Sequence, residues 1–379
     1  MKKLSLVLLL LAVASFSFAQ TMIGLAMPET HVQRWVKDGN QLKAAVEKLG
    51  YRGEVQWANA DQTLQNQQIQ SFLSQGAKAL IIGQVNQGVA SAVAAAKKDK
   101  VIVIAYDRII LNTKDYDYFI TFNNKKVGTL QGQSIVDGLN LDAATTAAPK
   151  YITLFAGSST DDNAYFFFDG AMEVLNPYID KGVLKVIGPA PRDSKDRANF
   201  VRITTENWWA NVAKARMEGL LINDAAGVTL DAVLAPNDTI ARSLIEALKA
   251  DAKYRTKLPV VTGQDAEFLS VVSIKNGEQY MTIFKDTSKL AEAAALLADQ
   301  LLKKQKVNIP GAVLAAGELK AIGDTTQKGE FKNGKFVNTY LLDVTPITQS
   351  NWNVPVDAGF FTDAEAAQIR GAAAPAPRR

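Results

Sequence analysis

The sequence predicts an α/β fold made of two lobes, each built on an open parallel sheet. Short β-branched apolar runs alternate with longer segments in which apolar residues recur at three- and four-residue spacing, a pattern typical of strands alternating with helices. The chain has 379 residues, more than one hydrophobic core usually organises. Two lobes are therefore expected, and the two series of elements meet near residue 123.

The predicted strands are short and rich in β-branched residues. They are Met22–Met27, Val55–Ala58, Ala79–Ile82, Val101–Tyr106, Tyr151–Phe155, Leu184–Ile187, Ala232–Ala235, Pro259–Gly263 and Tyr280–Phe284. Representative helices between and after them are Val32–Leu49, Leu64–Gln75, Val89–Lys98, Lys125–Leu139, Asn211–Leu221, Thr239–Leu248 and Thr287–Lys303. Each helix can cover one face of a sheet, as a parallel sheet requires.

The first nineteen residues have the three parts of a secretory signal. Lys2 and Lys3 form a charged start, Leu4–Val13 an apolar run, and Ser17–Ala19 a cleavage site with small residues. The apolar run is shorter than the roughly 20 residues that span a bilayer, so cleavage near Gln20 is expected rather than anchoring. Because the chain has no cysteine, we expect neither a disulfide nor a lipid-modified cysteine, and predict a periplasmic protein.

Charge and residue usage exclude several classes of function. Removal of Lys2 and Lys3 lowers the formal net charge from +4 to +2, and basic residues alternate with acidic ones, which argues against a nucleic-acid surface. The segment after the first strand lacks the glycine spacing of nucleotide-binding loops. His31 is the only histidine, which leaves few ways to build a metal site. No metal and no cofactor are expected.

Polar and aromatic side chains follow six of the predicted strands. In open α/β sheets a ligand lies beyond the carboxyl ends of the strands, so these residues are site candidates. They are Arg34, Trp35, Asp107, Arg108, Asp161, Asp162, Asn163, Asn237, Asp238, Gln264, Asp265, Lys285 and Asp286. Charged and amide groups suit sugar hydroxyls, and an aromatic ring such as Trp35 or Trp208 suits the apolar face of a pyranose.

Each candidate also has an ordinary structural explanation. An Asp-Arg pair after a strand can be a surface ion pair, and a lone tryptophan can simply pack in a core. Asp238 and Asn163 could cap the helices that follow them. Only the combination of arginines, a lysine and tryptophans at strand ends favours a ligand site.

From Ile23 to about Thr348 the chain resembles the periplasmic sugar-binding proteins of bacterial ABC importers, in the ribose, galactose and xylose group. It is most similar to the xylose-binding and multiple-monosaccharide-binding members. The likeness is carried by Arg34–Asp38, Ala105–Arg108, Asp162–Ala164 with Phe166–Met172, Gly263–Glu267 and Thr282–Thr287. The resemblance implies the type I fold of these proteins, in which two Rossmann-like lobes are joined by a three-segment hinge.

The resemblance also implies a set of sugar contacts. Nine residues match ligand-binding positions: Arg34, Trp35, Asp107, Arg108, Asn163, Trp208, Asn237, Asp265 and Lys285. Trp208 is chosen over Trp209 because its spacing to Arg216 fits the family better. The chain departs from the family at Asp162, where an asparagine is common, and in the long segment Gly311–Asn338.

The implied domains are two interleaved lobes. Residues 20–122 and 287–343 form the N-terminal lobe, and residues 123–284 and 346–365 form the C-terminal lobe. The crossovers are expected near Thr121–Lys125, Phe284–Thr287 and Asp343–Pro346. Residues 1–19 are the signal peptide, and the Pro/Ala/Arg tail at 372–379 is expected to be disordered.

The expected function is that of a monomeric, non-catalytic receptor. It would bind an aldose such as xylose, glucose, galactose or arabinose and deliver it to an ABC transporter permease. Presentation of the sugar to a chemoreceptor or sensor kinase remains an alternative. A glycoside-acting enzyme that uses Asp107 and Asp265 is a weaker one, because arginine and amide neighbours keep carboxylates charged. A sugar-responsive transcription regulator would need a helix-turn-helix segment where this chain has an export signal.

Overall fold

The computed structural model describes residues 20–111, 113, 115–315 and 337–372. The predicted signal peptide at residues 1–19, most of the segment Gly311–Asn338 and the tail after Ala372 lie outside these residues. Among the residues described, no helix combines the length and apolar character needed to cross a membrane.

The described strands and helices alternate along most of the chain. The strands are β1 Met22–Met27, β2 Arg52–Trp57, β3 Ala79–Ile82, β4 Ile102–Tyr106, β5 Tyr118–Phe122, β6 Lys150–Leu154, β7 Leu184–Val186, β8 Ala232–Leu234, β9 Val260–Val261, β10 Met281–Phe284, β11 Ala312–Ala315, β12 Asn338–Leu342 and β13 Thr345–Thr348. The helices are α1 Gln33–Lys48, α2 Gln62–Ser74, α3 Ala90–Lys98, α4 Asn124–Leu139, α5 Asn163–Asp180, α6 Arg197–Ile203, α7 Ala210–Ile222, α8 Asp238–Ala250, α9 Phe268–Lys275, α10 Thr287–Leu302, α11 Val354–Asp357 and α12 Asp363–Gly371.

Two parallel sheets form the two lobes. The sheet of the first lobe has the order β11-β12-β5-β4-β3-β1-β2 within the described residues, and all its pairs are parallel except β11 with β12. The sheet of the second lobe has the parallel order β7-β6-β8-β9. The predicted α/β class with two parallel-sheet lobes is therefore confirmed.

The chain returns to the first lobe after its excursion through the second. Strand β12 pairs with β5 in the first sheet, and α10 packs against α1. Strand β13 then pairs with β10, antiparallel, on the side of the second lobe. The lobe boundaries derived from the resemblance remain a prediction, and these pairings are consistent with them.

Burial follows from the position of each element. Strand β1 lies between β2 and β3 and all six of its residues are buried, because helices cover both faces of a parallel sheet. Helix α10 buries Leu290, Ala294 and Leu297, which recur at helical spacing and face the core. Ile120 and Phe122 of β5 belong to the same core cluster as β1, so this core is continuous across the sheet.

The two helices that begin the second lobe approach each other unusually closely. A Cβ atom at Gly128 of α4 would lie 1.8 Å from the carbonyl oxygen of Phe167 in α5. Only glycine permits this backbone contact. The contact fixes the position of α5, whose first residue, Asn163, is one of the predicted site residues.

Strands β5, β11, β12 and β13 are not among the predicted strands. Among the described residues no helix lies between β4 and β5, so the alternation of strand and helix does not reveal β5. The short strand β13 contains Pro346, which disfavours a strand in a sequence pattern and is tolerated in a two-stranded pair. The prediction missed these strands because they depart from the regular βα repeat.

Candidate functional site

One cavity between the two lobes collects all nine residues that the sequence analysis selected. Eight of them come from segments that follow strands of the two lobes, as the rule for open α/β sheets predicts, and Trp208 is the exception. The lining consists of Val32, Arg34, Trp35, Asp107, Arg108, Asp161, Asn163, Phe167, Trp208, Asn237, Gln264, Asp265 and Lys285. We call this space the central cavity.

Arg34 lies in the first turn of α1 and is held by two buried carboxylates. Its Nη1 donates to Asp107 Oδ2 at 2.8 Å, and its Nη2 donates to Asp38 Oδ2 at 2.6 Å, one helical turn further on. Burial opposes the charge, but Asp107, Asp38 and Asp265 outweigh it and raise the pKa of Arg34. Arg34 is therefore a cation whose position is fixed from two sides.

Arg108 links the two lobes through acidic partners. Its Nη2 donates to Glu29 Oε1 at 2.8 Å in the first lobe, and its Nε lies 2.7 Å from Asp161 Oδ2 in the second. Burial raises the pKa of the Asp161 carboxyl, although the guanidinium of Arg108 opposes that change. This buried ion pair directly joins the two walls of the central cavity.

Asp107 is a second link between the lobes. Its Oδ1 accepts a hydrogen bond from Asn163 Nδ2 at 3.2 Å, in addition to the bond from Arg34. Burial alone would raise the pKa of Asp107, but Arg34, Lys285 and Arg108 outweigh it and lower that pKa. Asp107 is therefore ionised at neutral pH and can accept hydrogen bonds.

The carboxylate of Asp265, in the second lobe, forms an ion pair with Lys285. The Nζ atom of Lys285 lies 2.9 Å from Asp265 Oδ1, and Arg34 Nη1 of the first lobe lies 3.8 Å from the same oxygen. The backbone φ is 95° at Asp265 and 48° at Ala266, in the left-handed region that non-glycine residues rarely adopt. Such strain persists only where the surroundings hold it, and it is common at binding sites.

Two of the capping explanations considered for the sequence are wrong. The side chain of Asn237, not of Asp238, caps α8 by accepting a hydrogen bond from the Ile240 amide at 3.1 Å. Asn163 is the first residue of α5 and does not cap it, because its Nδ2 is directed to Asp107 and its Oδ1 accepts from Asn124 at 2.7 Å. Asn237 thus serves as a cap and lines the cavity.

Asp238 holds the loop that carries Gln264 and Asp265. Its Oδ2 accepts hydrogen bonds from the Glu267 amide and from Thr282 Oγ1, both at 2.9 Å, and its own amide donates to the Gln264 carbonyl at 3.0 Å. Burial and the neighbouring Glu267 raise the pKa of Asp238. This buried residue connects the loop after β8 with the loop after β9, so the two loops reach the cavity as one unit.

The tryptophans occupy different places. Trp208 lines the cavity, and its Nε1 donates to Asp161 Oδ2 at 3.2 Å, whereas Trp209 lies outside and is 38% exposed. Trp35 is buried with the guanidinium carbons of Arg34 and Arg108 at 4.7 and 5.0 Å from its ring centroid. The choice of Trp208 over Trp209 therefore agrees with the placement of the two rings.

Four lining residues and two supporting carboxylates were not among the selected nine. Asp161 and Gln264 were among the polar residues that follow predicted strands, so the strand-end rule could have selected them. The resemblance favoured their neighbours Asn163 and Asp265 instead. Val32 and Phe167 look like ordinary core residues in sequence. Glu29 and Asp38 do not line the cavity but bind Arg108 and Arg34, respectively. These pairings depend on the fold and cannot be found from the sequence alone.

The arrangement can hold a small polar molecule. Cations and carboxylates alternate around the cavity, amides come from Asn163, Asn237 and Gln264, and aromatic surface comes from Trp208 and Phe167. Within the described part of the chain, no group of three or more His, Cys, Asp or Glu side chains could hold a metal ion. The lining offers hydrogen-bonding groups and aromatic surface to a ligand.

Comparison with known proteins places the chain among a well-defined group. The family model described as a periplasmic binding protein domain matches residues 23–306. A multiple sugar-binding periplasmic protein of Azospirillum brasilense is 38% identical over 348 residues, which cover 90% of each chain. A D-xylose-binding periplasmic protein of Haemophilus influenzae is 34% identical, again with 90% of each chain covered.

A solved structure shows the same likeness. The ABC transporter solute-binding protein of Clostridium phytofermentans, determined with bound β-D-glucose, is 33% identical and superposes with a TM-score of 0.77. The match covers 91% of this chain and 100% of the other. These comparisons confirm the resemblance and the fold class that the sequence indicated.

Proposed function

The chain belongs to the periplasmic binding protein family, and from this premise we propose that it is a non-catalytic receptor for a monosaccharide, which it delivers to an ABC transporter permease. The observation that carries this proposal is the convergence of nine predicted residues from two lobes on one cavity. The relatives whose names include sugar or xylose binding, and the solved structure with bound glucose, support the same ligand class.

The lining of the central cavity suits an aldose better than a charged or apolar ligand. Three cationic residues, Arg34, Arg108 and Lys285, are each paired with a carboxylate, so none of them is left to pair with an anionic ligand. Ionised carboxylates accept hydrogen bonds from hydroxyls, and the guanidinium and amide groups donate to them. The ring of Trp208 can cover the apolar face of a pyranose.

The electrostatics argue against glycoside hydrolysis by the pair Asp107 and Asp265. Such an enzyme needs one carboxylic acid that keeps its proton near neutral pH, beside a second carboxylate. Of the pair considered from the sequence, Asp107 has a lowered pKa because Arg34, Lys285 and Arg108 stabilise its charge. It is therefore poorly suited to protonate a leaving group, which supports binding without catalysis.

The periplasm is the proposed location, in keeping with the names of the relatives and with the signal pattern at residues 1–19. A monomer that meets a membrane permease is the proposed working form. A pull-down from membranes with immobilised, sugar-loaded protein would identify the partner. Capture of the permease is expected, and capture of only a chemoreceptor or sensor kinase would replace delivery by signalling as the main role.

Sugar binding is tested by a thermal-shift screen followed by isothermal titration. Xylose, glucose, galactose, arabinose and ribose are compared with acyclic sorbitol, which has hydroxyls but no ring. At least one aldose is expected to raise the melting temperature, because a ligand that binds only the folded state stabilises it by mass action. If none of the five aldoses shifts the melting temperature or gives heat on titration, the monosaccharide assignment is wrong.

Sugar binding is also expected to close the two lobes. The described form has direct contacts across the cleft, including Gln87 Nε2 to Asp162 Oδ2 at 2.6 Å and His31 Nε2 to the Asn207 carbonyl oxygen at 2.8 Å. A sugar that touches both walls favours a closed form, since contacts with both lobes exist only when the lobes approach each other. Small-angle scattering should show a smaller radius of gyration with saturating sugar. An unchanged radius at saturation would contradict closure.

A further inference from the structure

A second cavity adjoins the central cavity at one flank of the cleft. We call it the flank groove. Apart from two residues that it shares with the central cavity, its lining is Thr30, Gln33, Val36, Lys37, Asn40, Ala266, Glu267, Phe268, Phe360, Phe361, Thr362 and Glu365. The first five come from the first lobe and the rest from the second, so the groove is part of the opening between the lobes.

Arg34 and Asp265 are the two residues that line both spaces. They belong to opposite lobes, and Arg34 Nη1 lies 3.8 Å from Asp265 Oδ1. The Nε atom of Arg34 is buried and, among the described residues, has no hydrogen-bond partner. The side chains of Arg34 and Asp265 therefore form the boundary between the two spaces.

The lining of the flank groove combines aromatic surface with polar groups, as that of the central cavity does. Phe268 and Phe361 contact each other edge to face, with ring centroids 6.4 Å apart. Gln33 and Asn40 are exposed on α1, and neither side chain has a hydrogen bond within the part of the chain described. Aromatic rings beside unengaged amides are suited to a sugar ring.

The charges of the groove favour a neutral ligand. The ammonium group of Lys37 donates a hydrogen bond to the Phe360 carbonyl oxygen and lies over the Phe360 ring. It therefore already has partners within the protein. Glu267 pairs with Arg242, with Arg242 Nη2 and Glu267 Oε2 2.5 Å apart, and Glu365 completes the capping box of α12. With these charges engaged, the amides and rings remain for a ligand.

We propose that the flank groove is a second sugar subsite, so that this protein binds a disaccharide with one ring in the central cavity and the other in the groove. The glycosidic link passes beside Arg34 and Asp265. Because the second ring lies in the opening between the lobes, they can still close on the first ring. This proposal rests on the proposed function, since the first ring occupies the monosaccharide site.

Isothermal titration tests the proposal with glucose, xylose and their disaccharides maltose, cellobiose, isomaltose and xylobiose. The variant Asn40→Trp fills the groove from an exposed position of α1 that does not line the central cavity. The matched control Gln70→Trp places the same residue on the exposed side of α2, outside the groove. Asn40→Trp is expected to lower affinity for the bound disaccharide at least tenfold and leave monosaccharide affinity within twofold, whereas Gln70→Trp changes neither.

The outcomes separate this proposal from the proposed function. Monosaccharide binding without binding of any disaccharide overturns the second subsite and leaves the receptor role intact. Disaccharide binding that Asn40→Trp does not weaken shows that the second ring lies elsewhere, and also overturns the proposal. If neither monosaccharides nor disaccharides bind, the proposed function fails together with it.

Discussion

Replacement of Asp107 with alanine is expected to weaken monosaccharide binding by about 2–4 kcal/mol, roughly 30- to 1,000-fold in Kd. The carboxylate accepts hydrogen bonds from Arg34 of the first lobe and Asn163 of the second, and it is ionised because of its cationic neighbours. Without this carboxylate, the buried guanidinium of Arg34 loses its hydrogen bond to Asp107, and a sugar hydroxyl loses the acceptor that we expect it to use. Isothermal titration with the best aldose of the panel measures the loss.

Two further variants separate charge from backbone effects. Asp107 has a φ of 62°, a conformation that asparagine tolerates better than alanine, so Asp107→Asn removes the charge at the least cost to the backbone. Asp180→Ala is the surface control, because Asp180 pairs with Arg192 on the exposed side of α5. Asp265→Ala tests the carboxylate of the second lobe in the same way. If neither Asp107→Ala nor Asp265→Ala changes the affinity, the central cavity is not the binding site.

The substitution Gly157→Ala is expected to abolish most binding by displacing Trp208. A Cβ atom at Gly157 would lie 2.0 Å from the indole ring of Trp208, which is buried and cannot rotate away without leaving the cavity. Overpacking of this kind costs about 1–3 kcal/mol of stability. Loss of a tryptophan contact commonly costs on the order of 2–4 kcal/mol of binding. Thermal melting and isothermal titration measure the two effects.

A double-mutant cycle shows whether Trp208 causes the effect. In the Trp208→Ala background, Gly157→Ala is expected to cost little further stability, because the clashing ring is gone. The matched control is Gly219→Ala, since a Cβ atom at Gly219 meets nothing within 4 Å. Equal destabilisation by Gly157→Ala in both backgrounds would show that the glycine is needed for some other reason.

The selected residues meet in one cavity because most of them follow strands of the βα repeat. Asp107, Asn237 and Asp265 come directly after apolar strand-like runs, so the rule about strand ends selected them without any knowledge of distances. Trp208 does not follow a strand, and only its spacing within the resemblance distinguished it from Trp209. The two tryptophans are neighbours in sequence, but only Trp208 lines the cavity, and the left-handed backbone at Asn207 and Trp208 decides which ring turns inward.

The parts that the sequence did not reveal depend on long-range contacts. Asp38 looks like a surface residue of an amphipathic helix until the fold buries it against Arg34. Asp161 and Asp162 are adjacent residues of the same type, and the sequence does not distinguish their roles. Asp161 pairs with Arg108 in the cavity, whereas Asp162 accepts a hydrogen bond from Gln87 at the cleft. A difference of one residue decides which carboxylate lines the cavity, and local propensity does not determine that difference.

The most direct test of the account is a crystal structure of the protein with the aldose that gives the largest thermal shift. We predict that the sugar lies in the central cavity, with its ring against Trp208 and its hydroxyls bonded to Asp107 and Asp265 from opposite lobes. A sugar bound on another surface, with these three side chains untouched, would contradict the account.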